Sequence, residues 1–242
     1  MLFASKRGGC HESTAVHSGS PFARAVRIVL DELSLDYERR EEITTPSAKQ
    51  RAQATPTLQV PTFWDGDLVL WESGTIVEYL LSTYPDRPQA APKLAPFAFR
   101  PGDAQWQDKL VFSTIQTFGN AATTISQMKW SGVSVDQNAH LQRSAEKLAH
   151  ILGWLEDRLS GEDGFVPSYL SMQDIFLAAH VRFVQARPLG VDLKLDRYGK
   201  VSVLLDRLDA RDSFKANPIW WWEPGVIGYE PDGTPVYEKQ NA

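Results

Sequence analysis

Two residue pairs in this chain, Val60-Pro61 and Glu72-Ser73, can do chemistry by virtue of their types and spacing. The stretch between them reads as a short strand, an Asp65-Gly66 turn and a second strand, the turn dipeptide being a strong hairpin signal. The second strand delivers Glu72-Ser73 to the mouth of a helix. Main-chain groups at Val60 and a helix N-terminus at Ser73 then lie a short distance apart. The former pair with the backbone of an extended peptide; the latter takes a carboxylate. Together they suit a small peptide held by its backbone and its carboxylate. A third pair, Ser20-Pro21, joins a favoured N-cap to a favoured first helical residue.

The elements that must position these residues can be read around them. Phe22, Val26, Val29 and Leu33 recur at helical spacing and predict an amphipathic helix from Ser20 to about Glu32 or Leu33. Leu35–Arg40 reads as a strand leaving that helix, Thr44–Thr55 as a polar loop with room for one helical turn, and Met1–Ser5 as a short strand. Ile76, Leu80 and Tyr84 share one face of a helix over 73–84. Residues 1–85 are thus expected to form a compact α/β domain. Pro85 precedes residues 86–101 and Pro88, Pro92, Pro96 and Pro101 punctuate them, and proline at that density reads as a linker. Beyond it, over 102–217, the period is helical and no strand pattern interrupts it. Residues 103–124 suit one long helix, Leu148, Leu152, Leu155 and Leu159 a second, Ser171-Met172-Gln173-Asp174 a capping box opening a third, and Val201, Leu204, Leu205 and Leu208 a fourth. The tail, 218–242, begins with Trp220-Trp221-Trp222 and holds a Pro231-Asp232-Gly233-Thr234 turn.

Composition narrows the function classes. A formal charge of −5 argues against nucleic acid or an anionic membrane as the main partner. A single cysteine excludes an internal disulfide framework and a cysteine-based metal cluster, and fits a reducing compartment. No apolar run follows Lys6 and Arg7, so no secretory signal is expected, and no stretch approaches the ~20 apolar residues of a membrane span. The cytoplasm is the expected location. His11, His17, His140, His150 and His180 lack ligand spacing, and no metal site is expected.

Ser20-Pro21-Phe22-Ala23-Arg24-Ala25-Val26-Arg27, Val60-Pro61, Glu72-Ser73-Gly74-Thr75-Ile76 and Ser171-Met172-Gln173-Asp174-Ile175, taken with their order and the intervening linker, resemble the cytosolic glutathione transferase family. The likeness covers roughly residues 20–215 and is greatest to the bacterial-like classes that carry Ser-Pro-Phe at the first helix. It implies an α/β thioredoxin-like N-terminal domain that binds glutathione, an all-α helical-bundle C-terminal domain that lines a second-substrate pocket, and a homodimer. It implies a cis Val60-Pro61 bond, with Val60 pairing to glutathione's cysteine. Ser73 would meet the γ-glutamyl carboxylate and Glu72 its ammonium. Gln59 would contribute nearby, and Lys49 or Arg51 would meet the glycine carboxylate. Ser20 would be the catalytic group: a hydroxyl can accept a helix amide and still donate to sulfur, and a hydrogen bond plus the positive helix end favours thiolate.

The activity implied is attack of that thiolate on an apolar, aromatic-type electrophile by conjugation, or glutathione-dependent ether cleavage or dehalogenation, in the service of detoxification. A non-catalytic member of the same fold, binding a partner or sequestering ligands, is the alternative. Cys10 competes for the catalytic role, since some classes use a cysteine shortly after the first strand; the Lys6–Gly19 stretch is also longer than the family's usual loop. Phe22, Trp106, Phe112, Trp130 and Trp221 are the residues expected to line the apolar pocket, with core packing as the competing role for the aromatic residues before the tail. Three adjacent tryptophans cannot all enter one core, and the tail is expected to cover part of the cleft. Asp174 reads as a cap and folding element.

Overall fold

The computed structural model describes residues 2–3, 15–16, 19–41, 52–84, 94–161, 164–219, 226–229 and 235–237. Two compact units result, Met1–Pro88 together with Asn217–Ala242, and Gln89–Ala216.

In the first unit short strands β1 (Leu2–Phe3), β2 (Ala15–Val16) and β3 (Arg40–Glu41) are followed by β4 (Thr62–Asp65) and β5 (Leu68–Trp71). β1 runs parallel to β4, which pairs antiparallel with β5, while β2 and β3 form a separate parallel ladder. β2 lies within a polar stretch that carries no strand pattern. The strand expected over Leu35–Arg40 is confined to Arg40–Glu41, because Leu33 and Ser34 first turn the chain at the helix end and Leu35 is spent in the core. Helix α1 (Pro21–Glu32) starts where Ser20 and proline stop extended structure, and helix α2 (Ser73–Thr83) follows β5 directly. One helical turn occupies residues 52–54. α1 and α2 pack together over a core of Val26, Ile28, Val29, Leu30, Phe63, Ile76, Val77 and Leu80. A last antiparallel ladder joins β8 (Val226–Tyr229) to β9 (Pro235–Tyr237).

The second unit is built from α3 (Ala104–Trp130), α4 (Ala139–Glu156), α5 (Met172–Gln185), α6 (Gly199–Asp209) and the single-turn α7 (Asp212–Lys215). α3 runs past residue 124 because no breaker intervenes before Gly132, whose φ of +81° ends it. α3 packs on α4 and α5, and α6 on both α4 and α5. Ile115, Phe118, Ile125, Leu148, Leu152, Ile175, Phe176, Leu204 and Leu208 fill the interior. A two-residue parallel ladder, β6 (Leu94–Ala95) with β7 (Leu170–Ser171), is an addition to the helical pattern.

Proline does not keep residues 94–100 out of the packing. Phe97 stacks on Phe112 with ring centroids 4.5 Å apart, and Arg100 forms a two-pronged ion pair with the buried Asp108. Proline stops helix and strand, but it leaves neighbouring side chains free to dock.

Candidate functional site

Ser20 is the N-cap of α1, extended at φ −81° and ψ 123°, and its hydroxyl accepts the Ala23 amide at 3.3 Å. The residue is half-buried, and no acceptor among the described residues takes its proton. The hydroxyl thus sits at the positive end of a helix with its hydrogen uncommitted. Phe22, the second helical residue, keeps part of its surface exposed, unlike Val26, Val29 and Leu33 of the same expected stripe.

Val60-Pro61 is cis. Val60 is half-buried and makes no backbone hydrogen bond among the described residues, while Gln59 beside it is exposed. Thr62 is opposite Trp71 in the β4–β5 ladder. The ladder ends at that pair, with the cis Pro61 next along one strand and Glu72 next along the other. Pro61 and Glu72 thus each lie one residue beyond the last paired positions of the hairpin.

Glu72 differs from the simple capping residue that its position suggests. It stands at φ +65° and ψ 115°, makes no side-chain cap hydrogen bond, and is exposed, although its carbonyl accepts the Ile76 amide at 3.0 Å. A non-glycine residue at such an angle costs on the order of 1–3 kcal/mol and is concentrated at ligand sites. Ser73 is buried at the first helical position. Nothing in the local sequence marks the backbone of Glu72 as unusual, and sequence reading missed it.

The capping box in the second unit is present as expected. Ser171 Oγ accepts the Asp174 amide at 3.1 Å, and Asp174 returns bonds to the Ser171 amide at 2.9 Å and the Phe165 amide at 3.0 Å. Burial pushes the Asp174 carboxyl up to about 6 despite those donors.

The aromatic residues expected to line a pocket divide. Phe112 is buried between Phe97 and Phe176 and belongs to the core. Trp106 is 56% exposed, with Lys109 Nζ 4.9 Å above its ring. Trp130 is half-buried, with the Arg187 guanidinium 5.5 Å from its ring. Trp221, Cys10, Lys49 and Arg51 lie outside the described residues. Among the described residues no group of three or more histidine, cysteine or carboxylate side chains could hold a metal ion, and no helix is long and apolar enough to cross a membrane.

Sequence reading also missed a polar cluster behind α1. Arg24 and Arg27 are buried on that helix. Arg24 Nε donates to the Asn217 carbonyl at 2.7 Å and Arg27 Nε to Asn217 Oδ1 at 2.9 Å. Asn217 Nδ2 donates in turn to Asp31, which also bonds Tyr37. Burial raises the Asp31 carboxyl, and burial, with Asp31 beside it, pushes the Tyr37 phenol up to about 12. Arginine is almost never buried without partners, so two arginines at helical spacing among Ala25, Val26, Ile28 and Val29 were the available signal.

Known proteins resemble this chain in sequence and in fold. Residues 17–88 match the family profile described as glutathione S-transferase, N-terminal domain. The chain is 28% identical over 200 residues to the probable glutathione S-transferase GSTF1 of Oryza sativa subsp. japonica, covering 78% of this chain and 87% of that one. The glutathione S-transferase of Methylobacterium radiotolerans JCM 2831, solved in complex with glutathione sulfonate, superposes with a TM-score of 0.70 at 21% identity, covering 89% and 93% of the two chains. The enzyme of Methylobacillus flagellatus KT, solved with bound GSH, gives 0.67 at 18% identity over 90% and 98%. The fold is therefore a thioredoxin-like N-terminal domain joined to a helical C-terminal domain, as in these glutathione S-transferases.

Proposed function

We propose that this chain is a glutathione transferase of the serine type, in which Ser20 holds glutathione's sulfur as a thiolate for attack on an apolar electrophile. The observation that carries this reading is the Ser20 hydroxyl, bound through a lone pair to Ala23 at the start of α1, with its proton free of acceptors among the described residues. Donated to sulfur, that proton and the helix dipole stabilise the anion. A thiol of pKa about 8.5 is only about 3% ionised at neutral pH, and a shift of roughly two units, worth under ~3 kcal/mol, makes thiolate the majority form.

The peptide would lie along Val60 as an added strand, beside Pro61 and the exposed Gln59. Its γ-glutamyl carboxylate would meet Ser73 at the N-terminus of α2, and Glu72 its ammonium. A residue held at a costly backbone angle in front of that helix is what a ligand clamp requires. Nucleophilic attack forms the carbon–sulfur bond, and the leaving group departs with the electron pair of the bond that breaks. Substitution on aromatic or activated carbon is the proposed reaction, and ether cleavage and dehalogenation use the same step. Among the residues expected to meet the electrophile, Phe22 is half-buried, Trp106 is 56% exposed and Phe112 lies in the core of its unit. We assign the glutathione half to residues 1–85 and propose a cytoplasmic homodimer.

Retention on immobilised glutathione together with turnover of a generic aromatic electrophile tests the proposal. Absence of both defeats it. Binding without turnover of any electrophile points to the non-catalytic alternative.

A further inference from the structure

We infer that Asn217 is a positioning residue for Ser20, acting through the rotational setting of helix α1. The inference rests on the glutathione reading above. Ser20, Arg24, Arg27 and Asp31 are spaced i, i+4, i+7 and i+11, so they lie along one stripe of that helix. Asn217 engages three of the four: its carbonyl takes Arg24, its amide oxygen takes Arg27, and its amide nitrogen gives to Asp31. The fourth is the residue that opens the helix.

Apolar contacts also hold α1 in place. Val26, Ile28, Val29 and Leu30 pack without directional preference, since hydrophobic contact is proportional to area and not to angle. Hydrogen bonds weaken steeply off line. A residue that bonds two arginines and a carboxylate on one stripe, one arginine through its backbone carbonyl and the other two groups through its side chain, therefore constrains the rotation of the helix about its axis. The Cα atoms stand about 2.3 Å from that axis and side-chain atoms farther out, so a rotation of roughly 20° carries the Ser20 hydroxyl about 1 Å. A misplacement of that size is enough to cost one to two orders of magnitude in rate.

The network is self-consistent at this depth. Asn217 is 1% exposed and Arg27 fully buried, and the charges facing the amide are Arg24, Arg27 and Asp31, with Tyr37 on Asp31 and Glu32 next along the helix. Aspartate at 217 would keep both acceptors for the arginines but set a carboxylate against Asp31. Alanine would remove the side chain altogether and leave Arg27 Nε without this acceptor.

The test uses the full-length protein and the variants Asn217→Ala and Asn217→Asp, with glutathione as ligand. The thiol of bound glutathione is titrated by the ultraviolet absorbance of the thiolate, and kcat and KM are measured across pH, with thermal melts in parallel. For Asn217→Ala the bound thiol is expected to titrate about one unit higher, with kcat at neutral pH down about threefold and recovering at high pH, and KM for glutathione within about twofold. Asn217→Asp, of nearly wild-type size and able to serve if the alanine variant fails to fold, is expected to shift in the same direction by less. A lowered melting temperature with an unshifted thiol and an unchanged kcat in either folded variant overturns the inference, leaving Asn217 as a structural staple alone. Wild-type protein that neither binds glutathione nor shifts its thiol overturns the glutathione reading, and this inference falls with it.

Discussion

Gly164→Ala probes the packing beneath the capping box. Gly164 stands at φ +80°, and a Cβ there would lie 2.5 Å from Asp174 Oδ1 and 2.8 Å from its Cγ. The carboxylate has nowhere to retreat, because it is fully buried and tied to the Phe165 and Ser171 amides at 3.0 and 2.9 Å. Two costs follow. Alanine in the left-handed region loses about 1–2 kcal/mol, and pulling the carboxylate off a buried amide loses about 1–3 kcal/mol more. Their sum, roughly 2–5 kcal/mol, is a large part of an ordinary 5–15 kcal/mol stability. Asp174→Ala separates the two. Without the carboxylate the three atoms nearest the new methyl are gone, so Gly164→Ala in that background should cost mainly the backbone share, about 1–2 kcal/mol. Urea unfolding of wild type, both single variants and the double variant gives a cycle with a coupling of roughly 1–3 kcal/mol. Coupling below about 0.5 kcal/mol refutes the contact between Gly164 and Asp174. A single-variant cost under about 1 kcal/mol refutes the backbone argument as well.

Three further outcomes follow from buried groups. Thr62 Oγ1 is buried without a hydrogen-bond partner among the described residues, so Thr62→Val, which keeps the shape, should stabilise the protein by about 1 kcal/mol in the same urea assay. A Cβ on Gly119 would come within 2.6 Å of the His180 ring, so Gly119→Ala should cost about 1–3 kcal/mol and lower the melting temperature by several degrees. His180 and Asp174 have opposite pH linkage. Burial lowers the imidazole to about 3, so its unfolded form alone binds a proton below 6.5, and stability falls on acidification from there. Burial raises the Asp174 carboxyl to about 6, so its folded form binds the proton first, and stability rises on acidification between there and 3.8. Between about pH 4 and 6 the two slopes cancel. Asp174→Asn should expose the acid loss due to His180, and His180→Gln the acid gain due to Asp174, in unfolding free energies measured across that range.

What could be read from the sequence was local. Ser20-Pro21, Asp65-Gly66 and Ser171–Asp174 each fix their own element through a cap or a turn, and α1, the β4–β5 hairpin and α5 begin and end close to where those residues put them. The hairpin that leads from Pro61 to Glu72 was legible because its turn dipeptide and loop length fix its register. What was not legible was either long-range or conformational. Asn217 reaches α1 across 190 residues to Arg27, a distance over which no periodicity speaks. The +65° backbone of Glu72 belongs to a residue with no intrinsic preference for it. Residues 94–100 carry a breaker pattern yet dock through Phe97 and Arg100, since proline governs backbone and leaves neighbouring side chains free.

The central claim is that the Ser20 proton goes to glutathione's sulfur. The most direct measurement is the thiolate titration of bound glutathione in wild type, Ser20→Ala and Cys10→Ala, read by ultraviolet absorbance together with the rate of conjugation. The account predicts a bound thiol about two units below its free value of ~8.5 in wild type and in Cys10→Ala. In Ser20→Ala it should return most of the way to the free value, with the rate at neutral pH falling in proportion. An unshifted titration and intact turnover in Ser20→Ala, with activity abolished in Cys10→Ala, would contradict it.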